Sequence, residues 1–153
     1  MMNNFIKDLE EKKQKVPAEE KKLIGILQEL YEKYKFNDVQ YEIAIETKER
    51  TILVCTGRIG NLIGKQGTII RELAKRNNKP VRIIEKSRDV KKMAQDLLGN
   101  TPVESANKIY ISNGKEQNKI IVSQKIPDIK RRELELILEK ILDTKTQIEF
   151  NLN

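Results

Sequence analysis

Residues 59–67 constrain the fold more than any other part of the chain, and they read Ile-Gly-Asn-Leu-Ile-Gly-Lys-Gln-Gly. Gly64 and Gly67 flank two polar residues, after an apolar run of strand character at residues 51–56. Apolar residues recur at helical spacing in residues 68–77, which predicts a helix there. A glycine turn that leads into a helix leaves backbone N–H groups unpaired at the positive end of the helix dipole, where phosphate binds. The segment therefore predicts a strand, an anion-binding turn and a helix.

A nucleotide-binding P-loop is another glycine motif that precedes a helix, and the spacing argues against it here. Gly60 and Gly64 are separated by three residues instead of four. Gln66 stands where a P-loop needs Ser or Thr to contact the metal ion. The turn is therefore predicted to bind an anion other than a P-loop nucleotide.

The distribution of charge supports an anionic ligand at this segment. The chain has 153 residues and a net charge of +7. Residues 58–92 contain eleven Lys or Arg and three Asp or Glu, a local charge of +8, so the other 118 residues sum to −1. A basic excess that coincides with the glycine turn and its helix is the electrostatic pattern of a phosphate-binding surface.

The composition argues against an enzyme. The chain has no histidine, which is the commonest general base and metal ligand. Its one cysteine, Cys55, cannot form a disulfide within the chain or a thiolate zinc site, and no spaced cluster of Asp and Glu suggests another metal. We therefore expect a non-catalytic protein with no cofactor and no bound metal.

The sequence predicts a cytoplasmic protein with no membrane partner. No stretch approaches the roughly 18 consecutive apolar residues of a membrane-spanning helix. The first 15 residues are charged throughout and lack the apolar segment of a secretory signal. Cys55 lies in an apolar run, as a reduced and buried cysteine does.

Apolar periodicity predicts an α+β fold built from two units, residues 17–87 and residues 88–153, with residues 1–16 as a separate charged arm or helix. In the first unit the order is helix, strand, strand, short helix, glycine turn, helix and strand. The predicted elements of this unit span residues 17–34, 39–46, 51–56, 58–63, 68–77 and 81–85.

The second unit repeats this apolar pattern about 66 residues later, and it lacks the glycine turn. Pro127 and Asp128 predict a helix start where the turn would lie. The neighbouring Lys130, Arg131 and Arg132 either contact phosphate or form a solvated helix turn. The predicted strands and helices of this unit are residues 90–98, 108–112, 119–123, a helix from 128, and 147–150.

The Ile-Gly-x-x-Gly sequence and the α-β-β-α-α-β order of residues 17–86 resemble a type II KH domain, an RNA-binding fold of bacterial and archaeal proteins. In a KH domain this loop clamps about four nucleotides of RNA backbone. Two such units in tandem are similar to the NusA family, and above all to the archaeal NusA-like proteins. The second unit would then be a degenerate KH domain without a clamp. This resemblance implies a role in transcription elongation or termination, with RNA polymerase or another RNA-processing assembly as the protein partner.

The residue types around the turn predict how single-stranded RNA would bind. Backbone amides would hold phosphates, and Lys65 would add a positive charge. Apolar side chains, including Leu73, would line a groove for unstacked bases, closed by the strand at residues 81–85. The predicted RNA-binding residues are Ile59, Gly60, Leu62, Ile63, Gly64, Lys65, Gln66, Gly67, Ile70, Arg71, Lys75 and Arg82.

Two further functions are open on the sequence alone. The second unit could be a protein-interaction module that docks a polymerase, a ribosomal particle or a nuclease, or that forms a dimer. The chain could also be an accessory RNA-binding module of an archaeal RNA-processing or ribosome-related complex.

Overall fold

Two three-stranded mixed sheets with their helices make up an α+β structure, a computed structural model that describes residues 4–151. The chain divides into two units, Met1–Lys86 and Ser87–Asn153. In each unit the first two strands are antiparallel and the third is parallel to the second.

The first unit has the element order that the sequence predicts for residues 17–86. Its sheet order is β1-β2-β3, so β3 is an edge strand. The elements are α1 (Asn4–Lys13), α2 (Ala18–Tyr34), β1 (Val39–Glu46), β2 (Thr51–Gly57), α3 (Ile59–Ile63), one 3-10 turn (Lys65–Gly67), α4 (Thr68–Asn77) and β3 (Val81–Glu85).

The N-terminal segment, predicted to be a separate arm or helix, forms α1 and belongs to the core of the first unit. Its side chains Phe5 and Leu9 are buried. The ring of Phe5 lies edge-on to Phe36, with 5.1 Å between the centroids, and 6.0 Å from Tyr31. Burial of these apolar groups holds α1 against the apolar face of α2.

The second unit repeats the sheet of the first. Its strand order is β4-β5-β6, with the same strand directions. The elements are α5 (Val90–Leu98), β4 (Val103–Tyr110), β5 (Glu116–Val122), α6 (Asp128–Leu142) and β6 (Thr146–Phe150).

Strand β4 begins at Val103, whereas the sequence predicts a start at residue 108. Val103 pairs with Val122, and a register shift between Val103 and Ser105 interrupts the ladder. The shift disturbs the side-chain alternation that identifies a strand in a sequence, so the early part of β4 has no recognisable pattern. Backbone pairing with β5 therefore extends the strand beyond its predicted bounds.

Candidate functional site

The glycine turn between α3 and α4 is fixed by backbone hydrogen bonds. The N–H of Gly64 donates to the carbonyl of Gly60 at 3.0 Å, and the N–H of Gly67 donates to the carbonyl of Gly64 at 3.1 Å. Three residues of the turn have positive φ, with values of 81° at Gly64, 56° at Gln66 and 76° at Gly67. The chain therefore reverses tightly before α4 begins.

Gly64 is the one glycine of the motif that the packing requires. A Cβ on it would lie 2.6 Å from Cγ1 and 2.9 Å from the backbone nitrogen of Ile69. A Cβ on Gly67 would lie 3.1 Å from a guanidinium nitrogen of Arg71, which can move. Gly60 lies in helix α3, where its carbonyl accepts from Gly64, and a Cβ on it would meet nothing within 4 Å.

The amides of Lys65 and Gln66 are the groups of the turn that can bind an anion. They begin the 3-10 turn, so no carbonyl of the turn lies in position to accept from them. The amides of Gly64 and Gly67 are used within the turn, as described above. Of the four residues from Gly64 to Gly67, only the middle two therefore have backbone donors that are not already used by backbone carbonyls.

Two side chains of α4 hold the turn in this shape. The hydroxyl of Thr68 donates to the carbonyl of Lys65 at 2.7 Å, and Nη1 of Arg71 donates to the carbonyl of Gln66 at 2.5 Å. Both side chains are exposed otherwise. Arg71, predicted to bind RNA, thus also positions the turn, and the two outward amides are fixed before any ligand arrives.

Beside the turn lies a groove of about 430 Å³, bounded by α3, α4 and β3. Its floor is apolar, and arginines lie at its rim. The lining residues are Arg50, Ile63, Ile70, Pro80, Val81, Arg82 and Ile83.

Leu62 and Leu73, predicted to line the groove, are completely buried in the core instead. Helix α3 has only five residues, so Leu62 faces inward while its neighbour Ile63 faces the groove. Ile59 is half-buried and packs on the same core. The assignment of Leu62 as an RNA-contacting residue is therefore wrong, since no ligand can reach it.

The edge strand β3 presents backbone donors on the side away from its sheet. The N–H of Thr51 donates to Pro80 at 2.9 Å, and the N–H of Lys86 donates to Cys55 at 2.8 Å, which fixes the phase of the parallel ladder. The N–H groups of Val81 and Ile83 consequently point away from β2. Both residues line the groove, so its wall carries unpaired backbone polar groups.

Arg50 and Pro80 also line the groove, although neither was predicted as a site residue. Parallel pairing of Thr51 with Val81 brings their two preceding residues to the same end of the sheet. Arg50 and Pro80 are 30 residues apart in the sequence, and no local pattern connects them. Only the strand register reveals this part of the site.

The basic residues of this region divide into two groups. Within residues 4–151, Lys65, Arg71, Lys75 and Arg82 form no ion pair, and all but Arg82 are exposed. Others are neutralised within the fold. Arg76 lies 2.8 Å from Glu29 and 2.9 Å from Glu72, and Lys79 lies 2.9 Å from Glu46.

Glu72 anchors α4 to α2. Its carboxylate accepts a hydrogen bond from Lys33 at 2.8 Å and one from the Tyr34 hydroxyl at 2.7 Å. The bond from Lys33, then the bond from Tyr34, hold the pKa of Glu72 below its usual value, and Glu72 in turn raises the pKa of Lys33. The one acid on α4 is therefore engaged with α2, and it is not a member of the groove lining.

Cys55, the one cysteine of the chain, is buried in β2. Burial raises the pKa of its thiol to about 12, which disfavours the reactive thiolate. Among residues 4–151, no three Asp, Glu or Cys residues are grouped as metal ligands. The same residues contain no helix with the length and apolar character needed to cross a membrane.

The corresponding segment of the second unit, residues 124–132, is not a turn of this kind. Helix α6 begins at Asp128, and the N–H of Arg131 donates to Pro127 at 2.8 Å. No residue of the segment has a positive φ. Arg131 lies over the ring of Phe150 at 5.9 Å. Lys130 and Arg131 thus lie in the first turn of helix α6, with Arg132 next to it. Phosphate contact by these residues stays a prediction.

No protein-family model and no curated protein matches the chain. Solved structures do resemble it, among them the crystal structure of APE1850, with a TM-score of 0.57 and 18% sequence identity. The alignment covers 84% of this chain and 96% of APE1850. At this identity the likeness concerns the α+β fold alone.

Proposed function

We propose that the chain is a non-catalytic single-stranded RNA-binding protein whose first unit is a type II KH domain. The observation that carries the proposal is a turn with two outward amides, at Lys65 and Gln66, beside an apolar groove with an open strand edge. Phosphate binding and base binding need these two kinds of surface side by side.

The turn supplies the phosphate contacts. The amides of Lys65 and Gln66 donate to phosphate oxygens at the start of a helix, where the dipole favours negative charge. The ammonium of Lys65 adds a charge that no carboxylate neutralises within residues 4–151. Lys75 lies one turn of α4 beyond Arg71, on the same helix face, so it extends the basic surface along the bound strand.

The groove supplies the base contacts. Ile63 and Ile70 give unstacked bases an apolar surface, and the outward N–H groups of Val81 and Ile83 give donors for base edges. Arg82 at the rim reaches either a base or a phosphate. A duplex keeps its bases stacked inside, so it would offer this groove only backbone.

The topology is consistent with a KH domain. In the first unit, helix, turn and helix are inserted between the two parallel strands β2 and β3, with β1 antiparallel on the other side of β2. The second unit has the same sheet order without the turn. On the resemblance to NusA-like proteins, we place the function in transcription elongation or termination in the cytoplasm, with RNA polymerase as the protein partner.

Fluorescence anisotropy with labelled RNA tests the proposal. One probe is a single strand of about ten nucleotides, long enough to exceed the clamp of about four. The other is the same strand annealed to its complement. We expect the single strand to bind at least about tenfold more tightly at physiological salt. Equal affinity for both probes would contradict RNA recognition by the groove.

A further inference from the structure

The last helix and strand of the first unit correspond to those of the second unit when 65 is added to each residue number. Val81 begins β3 and Thr146 begins β6. The same shift relates Asn78 to Asp143, the two left-handed residues that end α4 and α6. The buried Leu73 likewise corresponds to Leu138, which is also buried. The shift therefore identifies equivalent positions in the two units.

Three positions at or near the groove of the first unit differ in chemical character from their equivalents in the second unit. Gly67 of the turn corresponds to Arg132, Ile70 of the groove floor to Glu135, and Ala74 to Glu139. The second unit thus replaces a glycine and two apolar residues with an arginine and two acids. Charged residues at groove positions need partners when they are enclosed.

The two acids of α6 are bonded to the edge of β6. Oε2 of Glu135 accepts the N–H of Ile148 at 2.9 Å, and Oε1 of Glu139 accepts the N–H of Thr146 at 3.2 Å. Glu135 is only 7% exposed. Nη1 of Arg132 lies 3.4 Å from Oε1 of Glu135 and 3.9 Å from Oε1 of Glu139, so it balances their charge.

The amides that these acids accept from are the equivalents of the open donors in the first unit. The N–H of Asn118 donates to Lys145 at 2.8 Å across β5 and β6, so Thr146 and Ile148 present their N–H groups away from the sheet. By the same shift, Thr146 corresponds to Val81 and Ile148 to Ile83. The edge of β3 is therefore open, whereas the edge of β6 is bonded to carboxylates.

We infer that Glu135 and Glu139 determine which unit takes RNA, because they occupy in the second unit the strand edge that RNA uses in the first. This inference rests on the proposed function. A nucleic acid would have to displace two charge-assisted hydrogen bonds, one from a buried carboxylate, and approach negative charge. On this inference, the edge of β6 does not take RNA.

Amide hydrogen exchange of the full chain, read by NMR, tests the strand edge with and without RNA. In the free protein we expect exchange at Thr146 and Ile148 to be at least about tenfold slower than at Val81 and Ile83, because hydrogen-bonded amides are protected. A short single-stranded RNA should slow exchange at Val81 and Ile83 and leave Thr146 and Ile148 unchanged.

Variants assign the protection to the carboxylates. Glu135→Ala with Glu139→Ala should speed exchange at Thr146 and Ile148 at least about tenfold. Glu135→Gln with Glu139→Gln is the matched control, because an amide oxygen still accepts, so most of the protection should remain. Exchange at Asn118 reports opening of the whole sheet, and it corrects both variants for any loss of stability.

The converse substitution places a carboxylate at the equivalent position of the first unit. Ile70→Glu should slow exchange at Ile83 in the absence of RNA and lower RNA affinity at least about tenfold. Ile70→Met, which keeps an apolar side chain of similar size, should do neither. Lower RNA affinity without slower exchange at Ile83 would mean that charge alone repels RNA, which would overturn the inference.

The outcomes separate this inference from the proposed function. RNA binding by the wild type with equal exchange at all four edge amides, or with RNA-dependent protection at Thr146 and Ile148, overturns the inference alone. Absence of any RNA binding refutes the proposed function, and the assignment of the two grooves with it, even where the exchange contrast is present.

Discussion

Replacing Lys65 and Gln66 together by Asp tests whether the glycine turn holds RNA. Both side chains are exposed, and Gly64 and Gly67 are kept, so the turn can still form. Gln66 has a φ of 56°, a left-handed conformation that Asp adopts more readily than most residues. We therefore expect the variant to fold as the wild type does, with two carboxylates beside the anion-binding amides.

The loss of affinity follows from the contacts that the structure offers. Lys65 has no carboxylate partner within residues 4–151, so its charge is available to phosphate. One charge-assisted hydrogen bond is worth about 1.5–3 kcal/mol, and about 1.4 kcal/mol corresponds to a tenfold change in affinity. With the added repulsion, RNA affinity should fall about ten- to a hundredfold. The log–log salt dependence should flatten by about 0.7, because one cation no longer releases a counterion from the single strand.

The matched control replaces Lys130 and Arg131 by Asp in the second unit. This control removes two positive charges, against one in the first unit, but from the first turn of α6, where acids are favourable to the helix dipole. RNA affinity should change less than about threefold. Anisotropy titrations at several salt concentrations measure both variants, with circular dichroism to verify folding. An equal loss in both variants would show that charge alone binds RNA and that the glycine turn is only a turn.

Two pairs of variants separate the fold from the site. Gly64→Ala should lower the melting temperature and RNA affinity, since the residue combines positive φ with a Cβ contact at 2.6 Å to Ile69. Gly60→Ala, at an open helical position, should leave the melting temperature unchanged or raise it slightly. A tolerated Gly64→Ala would refute the steric argument. Leu62→Ala should cost about 2–5 kcal/mol of unfolding free energy in denaturant titrations, whereas Ile63→Ala should mainly weaken RNA binding. Similar stability losses for both leucine and isoleucine variants would contradict their assignment to core and groove.

The element order could be predicted from the sequence because local patterns carry it. Val39 and Tyr41 begin a period-two alternation that predicts β1, and the apolar spacing of α2 predicts its buried face. The register could not be predicted. A register shift in the pairing of β1 with β2 lies between Tyr41 and Ile43. Ala44 therefore faces the core and Ile43 is only half-buried, whereas the sequence alternation predicts the opposite. Such shifts arise from pairing between strands, which a single sequence does not show.

The parts of the site formed by residues adjacent in the sequence could be predicted. The turn, its exposed Lys65 and the position of α4 follow from the glycine spacing. Leu62 and Ile63 are neighbours in a helix too short for periodicity to tell the core side from the groove side. Glu135 on α6 has the sequence pattern of a solvated acid, and only the strand edge beside it explains its burial.

The most direct measurement is an NMR titration of the isotopically labelled full chain with a short single-stranded RNA, following each backbone amide. We expect the largest chemical-shift changes at the turn amides of Lys65 and Gln66 and at the strand-edge amides of Val81 and Ile83. Residues 124–132 and the edge of β6 should remain unchanged. Chemical-shift changes centred on the second unit, or none at the turn at saturating RNA, would contradict RNA binding by the first unit.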